Sequence, residues 1–168
     1  MKIIGVDPGV GGALALLDTE RWTLHLADMP QESGVKNRKA VSPAGVADLI
    51  EAARPDHVFV EHVHSSPQMG VASAFSFGRS YGIVLGAAQR AGATLTEIKP
   101  AEWKRKTRTP KDKGGARKRA GQLFPSGTAF FSRVKDDGRA EAAVIALYGA
   151  LFLNASPAGP IEVVEGWP

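Results

Sequence analysis

Two acids in this 168-residue chain close runs of apolar residues: Asp7 ends Ile3-Ile4-Gly5-Val6-Asp7, and Glu61 ends Val58-Phe59-Val60-Glu61. A carboxylate at the end of an apolar strand costs desolvation energy unless its charge is used there. More acids open the last apolar stretch, Lys135-Asp136-Asp137-Gly138-Arg139-Ala140-Glu141, and Asp137 and Glu141 stand four apart, on one helical face. Carboxylates gathered closely repel one another, so such a group persists where a proton or a cation neutralises it. Oxygen ligands of this kind suit Mg²⁺ or Mn²⁺. Two such ions about 4 Å apart can activate a water and stabilise the leaving oxygen of a phosphodiester. The chain has no cysteine, which excludes disulfide scaffolds, thiolate zinc sites and cysteine nucleophiles. Its four histidines lack the His-x₃-His spacing of a zinc pair, and His25, His57 and His62 read as structural.

The elements that must position these acids follow from the pattern of apolar residues. Strands are expected at 2–7, 13–18 and 22–27, joined by the glycine-rich turn Pro8-Gly9-Val10-Gly11-Gly12 and by Thr19-Glu20-Arg21. A polar, irregular segment is expected over 29–41. Ser42-Pro43 then opens a helix to about Ala53. His57–Glu61 is a fourth strand, 68–91 a long helix rich in small residues, 93–98 a fifth strand, 115–124 a helix, and 137–154 an apolar helix laid on the sheet. A helix between the first and fourth strands makes these parallel neighbours, so Asp7 and Glu61 emerge at one edge, roughly 5 Å apart. The expected fold class is therefore α/β, with a mixed five-stranded sheet: strands 1–3 form a meander, and strands 4 and 5 run parallel to strand 1. One domain is expected over 1–155, with a C-terminal tail over 156–168. A chain with 43% hydrophobic and 23% charged residues can bury a core.

Charge is unevenly placed. Nine of the sixteen residues from Lys104 to Arg119 are basic and one is acidic, while the rest of the chain carries a net −4. A lesser cluster sits at Lys36, Arg38 and Lys39. Basic residues concentrated on a slightly acidic body point to a polyanion partner. Lys104, Arg105, Lys106 and Arg108 are candidate contacts to its phosphates, as are Lys111, Lys113 and Arg117. Trp103 reads first as a core anchor. Gly78, Gly82 and Gly86, spaced four apart, form a face that lets another backbone approach, either the chain's own sheet or a second copy. An acid by residue 7 leaves no room for the apolar core of a signal peptide, and no 18-residue apolar run suggests a membrane span, so a cytoplasmic location is expected.

Taken in order, Ile-Ile-Gly-Val-Asp-Pro-Gly, Val-Phe-Val-Glu61, Ser73-Ala-Phe-Ser-Phe-Gly-Arg-Ser-Tyr-Gly82, Lys99-Pro100 with Trp103-Lys104, and Asp137-Gly-Arg-Ala-Glu-Ala142 resemble the RuvC family of Holliday junction resolvases over residues 1 to about 153. The resemblance implies a ribonuclease H-like fold, a homodimer, and divalent-metal cleavage of two opposed strands of a four-way DNA junction in DNA recombination and repair. By position, Asp7 and Glu61 look like the family's first two metal-binding acids, and Glu141 with Asp137 looks like the pair on its last helix. That pair is usually three apart, where this chain has Gly138, so Asp136 stays a second candidate beside Asp137. Lys104 and Lys113 look like the basic residues near the cut phosphate. His64 stands where many members carry an aromatic residue that stacks at the junction centre. Three other readings share features of the sequence: a related nuclease acting on RNA or hybrids, a branched-DNA binder that does not cut, and a phosphate-transferring ATPase, which would need a second domain.

Overall fold

The computed structural model describes residues 1–34, 37–64, 68–112 and 114–168. Its main sheet contains β1 (Lys2–Asp7), β2 (Ala13–Asp18), β3 (Thr23–Asp28), β6 (His57–Glu61), β7 (Thr94–Ile98) and β8 (Glu162–Val164), in the order β7-β6-β1-β2-β3-β8. β1, β2 and β3 form the antiparallel meander, and β6 and β7 run parallel to β1. The five expected strands are thus all present, with the third shifted by one residue. The sixth comes from the segment read as a tail: β8 pairs in parallel with β3, and Ile161 beside it is buried. Three residues, Glu162-Val163-Val164, are too few to show an alternating pattern.

Between β3 and β6 lie β4 (Gln31–Ser33), β5 (Lys39–Val41) and α1 (Pro43–Ala53). Within the stretch 29–41, expected to be irregular, β4 and β5 pair antiparallel, and Met29 and Val41 are buried. Ser42 caps α1 by accepting a hydrogen bond from Gly45 N–H at 3.3 Å, with Pro43 at the first helical position. The long helix α2 spans Val71–Arg90, three residues shorter at its start than expected. Next come α3 (Pro100–Lys106), α4 (Gly115–Leu123), two 3₁₀ segments over Pro125–Phe131 and Val134–Asp136, and α5 (Asp137–Phe152). The sequence reading did not resolve α3, although Pro100 at its start, Glu102 in its first turn and three bases in its last are ordinary helix signals.

Side chains alternate along a strand, so each strand feeds two cores. Ile3, Ala13, Ala15, Leu17 and Phe59 face α5, whereas Ile4, Val6, Leu14, Leu16, Val58 and Val60 face α1 and α2. Small residues let α5 lie very close to the sheet. A side chain at Gly5 would collide with the α5 backbone at Ala142 and Ala146. The glycine face of α2 behaves differently. Its buried residues are Ser80, Val84 and Ala88, and added Cβ atoms at Gly78, Gly82 and Gly86 would meet open space, so these glycines do not pack on the chain's own sheet. Among the described residues, no helix is long and apolar enough to cross a membrane.

Candidate metal centre

Strand periodicity decides where the acids point. Val6 of β1 lies opposite Val60 of β6, so Asp7 and Glu61 are the next residues on two adjacent parallel strands and reach the same sheet edge. Both hold odd positions, as do Ile3 and Phe59, and therefore turn to the face covered by α5. There α5 brings Glu141, one turn into the helix. One carboxylate oxygen from each of Asp7, Glu61 and Glu141 can be chosen so that all lie within 4.8 Å of one another, and all three residues are half-buried. This is the only such group of three or more acids or histidines among the described residues.

The turn after β1 and the start of α5 fit together backbone to backbone. A Cβ on Gly138 would stand 2.5 Å from Gly11 O and 2.7 Å from Gly12 Cα. Glycine at 138 is therefore the residue that lets α5 seat Glu141 beside Asp7, and a side chain three positions before Glu141 has no room.

Burial pushes the Asp7 carboxyl up to about 7, with the Glu141 charge adding to the rise and the Gly9 N–H, 3.2 Å from Asp7 Oδ1, partly offsetting it. Glu61 is also raised, by burial first and by Glu141, against a lowering from the Trp103 hydrogen bond. Both strand-borne acids are thus pushed toward their neutral forms, first by burial and then by the neighbouring Glu141 charge. Some opposing charge comes from α3. Lys104 Nζ is 3.3 Å from Glu141 Oε1 and 4.9 Å from the Trp103 ring centre. Trp103, fully buried, donates from Nε1 to Glu61 Oε1 at 2.9 Å. The expected core anchor is thus also a hydrogen-bond donor to a site acid. The available signal was the indole N–H itself, which seeks an acceptor whenever the ring is buried.

The structure brings together three of the four expected acids. Asp137 is instead held by Arg117 Nε at 2.6 Å. Asp136 is buried at the helix entrance, where Arg133 donates to it from both its side chain and its backbone. Burial alone would raise the Asp136 carboxyl, but these bonds outweigh it and hold the group below its usual range. The four-residue spacing of Asp137 and Glu141 gives them one helical face, yet Asp137 sits a full turn earlier, where α4 supplies its partner.

Of the basic candidates, Lys104 lies in the site and Arg117 is tied to Asp137, while Arg105, Lys106, Arg108 and Lys111 are exposed on and after α3. Lys113 and, in the lesser cluster, Lys36 lie outside the described residues. His64 is exposed and stacks on His62, with ring centres 6.5 Å apart.

No family model matches the sequence. Two curated proteins called crossover junction endodeoxyribonuclease RuvC are similar to it. The one from Dehalococcoides mccartyi is 30% identical over 107 residues, 60% of this chain and 64% of that protein's length, so the matched region spans a little under two thirds of that relative. The one from Brevibacillus brevis is 28% identical over 163 residues, 90% of this chain and 93% of that protein. Among solved structures, Thermus thermophilus RuvC in complex with a Holliday junction substrate superposes with a TM-score of 0.63 at 21% identity, covering 91% of this chain and 94% of that one. The yeast mitochondrial Holliday junction resolvase Ydc2 superposes with a TM-score of 0.54 at 16% identity, covering 87% and 76%.

Proposed function

We propose that the chain is a member of the RuvC family, with a ribonuclease H-like fold, and that it is a metal-dependent, structure-selective endodeoxyribonuclease that resolves four-way DNA junctions in the cytoplasm by hydrolysing phosphodiesters in two opposed strands. The single observation that carries this reading is the convergence of Asp7, Glu61 and Glu141 from two strands and a helix.

These residues fit a hard divalent cation. The donors are all carboxylate oxygens, they sit on a rim that includes the open glycine turn, and the two strand-borne acids are both pushed toward their neutral forms when no cation is supplied. We infer Mg²⁺ or Mn²⁺, two per site; bound there, the ions would supply the Lewis acidity that activates water and stabilises the leaving oxygen. The chain's own residues do the rest. Asp7, Glu61 and Glu141 hold and orient, with Asp137 kept by Arg117 at the helix entrance. Lys104 presents an ammonium group next to Glu141, where charge develops on the phosphate. Arg105, Lys106, Arg108, Lys111 and Lys113 attract the phosphate backbone and carry no sequence information themselves. His64, exposed beyond Glu61, offers a ring that can stack on an opened base.

Two paired cuts need two centres facing one junction, so the working form is a homodimer. What supports this is the outward face of α2: Gly78, Gly82 and Gly86 are open, and Val71, on the same line, is 88% exposed. The nuclease reading is tested with labelled junction, fork, duplex and RNA–DNA hybrid in Mg²⁺ or Mn²⁺. The native chain should cut the junction in two opposed strands, and Asp7→Asn should bind it without cutting. Cutting by Asp7→Asn at the native rate, or preference for the hybrid, would overturn the reading.

A further inference from the structure

The first turn of α5 is weakly built by its own residues. The Asp136 side chain, at the N-cap, makes no capping bond to the helix because Arg133 holds it, and glycine, here Gly138, is poorly suited to a helix interior. Yet this turn must deliver Glu141 to one place. Arg139 ties it down. Its Nε donates to Asp28 Oδ1 at 2.5 Å and its Nη2 donates to Asp28 Oδ2 at 2.7 Å, a two-bond fork between residues 111 apart in sequence. We propose that Asp28 and Arg139 are a positioning pair for the metal centre, fixing the rotation of α5 so that Glu141 meets Asp7 and Glu61; the proposal rests on the cation reading and names what seats its third ligand.

Three observations support this role. The first is place. Asp28 lies opposite Ala13 and Ala13 opposite Asp7, so Asp28 ends β3 at the same edge of the sheet, two strands from Asp7. The next residue, buried Met29, donates its N–H to Gly12 O at 3.0 Å, and Gly12 belongs to the turn on which Gly138 rests. The fork therefore closes a ring in which the turn, the start of α5 and the end of β3 are each fastened to the other two. The second is leverage. Residues two apart on a helix point about 200° from one another, so Arg139 grips β3 on one flank of α5 while Glu141 meets β1 and β6 on the other. Turning a helix of about 5–6 Å radius by about 5° moves a carboxylate at its surface by about 0.5 Å, the tolerance of a working site. Gly138 sets how close the helix comes, but with no side chain it does little to resist that rotation. The third is energetic. Asp28 is 64% exposed, and an ion pair so open to water adds little to folding, so stability does not account for the fork. Arg139, only 21% exposed and with Nε and Nη2 both engaged, is turned into the molecule.

The test is a double-mutant cycle in the full chain, with Asp28→Asn, Arg139→Gln and the two together. Titration calorimetry should show Mn²⁺ affinity lowered by about 10–100-fold in each single variant, the range for groups that orient a metal ligand. The double variant should lose no more than either single one, because each residue acts through the other. The melting temperature without metal and the KM for a four-way junction should stay near native, while kcat at limiting Mn²⁺ falls and recovers as Mn²⁺ is raised. Native Mn²⁺ affinity in the single variants would overturn the proposal. So would additive losses, or a loss in Arg139→Gln alone, since Arg139 would then act without Asp28. A raised KM with native Mn²⁺ affinity would make Arg139 a phosphate contact instead, and a melting temperature that falls in step with Mn²⁺ affinity would reduce the pair to a structural tie. Asp28→Asn changes only an exposed carboxylate, so it decides the matter alone if Arg139→Gln does not fold. Failure of the cation reading shows separately, as a Glu141→Gln chain that binds Mn²⁺ as tightly as the native one.

Discussion

Asp7 titrates near 7 because folding takes its carboxyl out of water and places Glu141 beside it. A carboxyl raised in this way keeps its proton in the folded chain between the ordinary range, about 4, and 7, while the unfolded chain has lost it. The folded state then binds more protons, so stability without metal falls as pH rises across that window. A divalent cation reverses the preference by favouring the ionised form, and its binding expels protons. Thermal unfolding at pH 5 and pH 8, with and without Mn²⁺, checks this: Mn²⁺ should raise the melting temperature strongly at pH 8 and little at pH 5. The neighbouring indole is the second residue-scale device. Trp103→Phe keeps an aromatic ring in the core but removes the N–H that holds Glu61. Groups that orient a metal ligand typically change metal affinity by about 10–100-fold, so Mn²⁺ titration calorimetry should show weakening in that range while the fold persists by circular dichroism. Unchanged Mn²⁺ affinity in a folded variant would leave Trp103 a packing residue only.

The elements that carry these residues were legible in the sequence to different depths. β1 and β6 announced themselves as apolar runs ending on an acid, and α1 between them fixed their parallel pairing, so the meeting of Asp7 and Glu61 could be read before any coordinates. The apolar run of α5 was equally plain, and Glu141 follows from it. What the helical period could not say is how α5 is seated. Gly138 rests on the Gly11–Gly12 backbone, and that contact, set by tertiary packing, leaves Asp137 to Arg117. The β4–β5 pair and the edge strand β8 escaped because three-residue strands carry no usable period. The Trp103 hydrogen bond escaped because it joins residues 42 apart in sequence. The seating yields a prediction at this scale. Gly138→Asp, which would place an acid three positions before Glu141, must push α5 off the turn. Overpacking of this kind costs about 1–3 kcal/mol, and the variant should melt lower and cut more slowly, despite gaining an acid. A Gly138→Asp chain as stable and as active as the native one would contradict the described contact.

Across the whole molecule, charge and surface are arranged around one rim. The exposed bases of 105–111 and the lesser cluster's Arg38 and Lys39 come from distant parts of the chain, and the acids lie on the same face of the sheet as α5. Binding to DNA should accordingly be strongly salt-dependent. The open line Val71, Gly78, Gly82 and Gly86 gives α2 a surface on which a second α2 could approach closely. Gly82→Arg should therefore shift sedimentation from dimer to monomer at micromolar concentration and suppress paired cutting, while leaving Mn²⁺ affinity unchanged. A native chain that sediments only as a monomer would sink the paired arrangement while leaving the metal centre standing.

The central claim is that three acids remote in sequence make one cation site. It is met most directly by soaking crystals of the protein in Mn²⁺ and collecting anomalous diffraction at the manganese edge. The account predicts anomalous density among the carboxylates of Asp7, Glu61 and Glu141. Density elsewhere, on Asp136 and Asp137 for instance, with none between these three at saturating Mn²⁺, would contradict it.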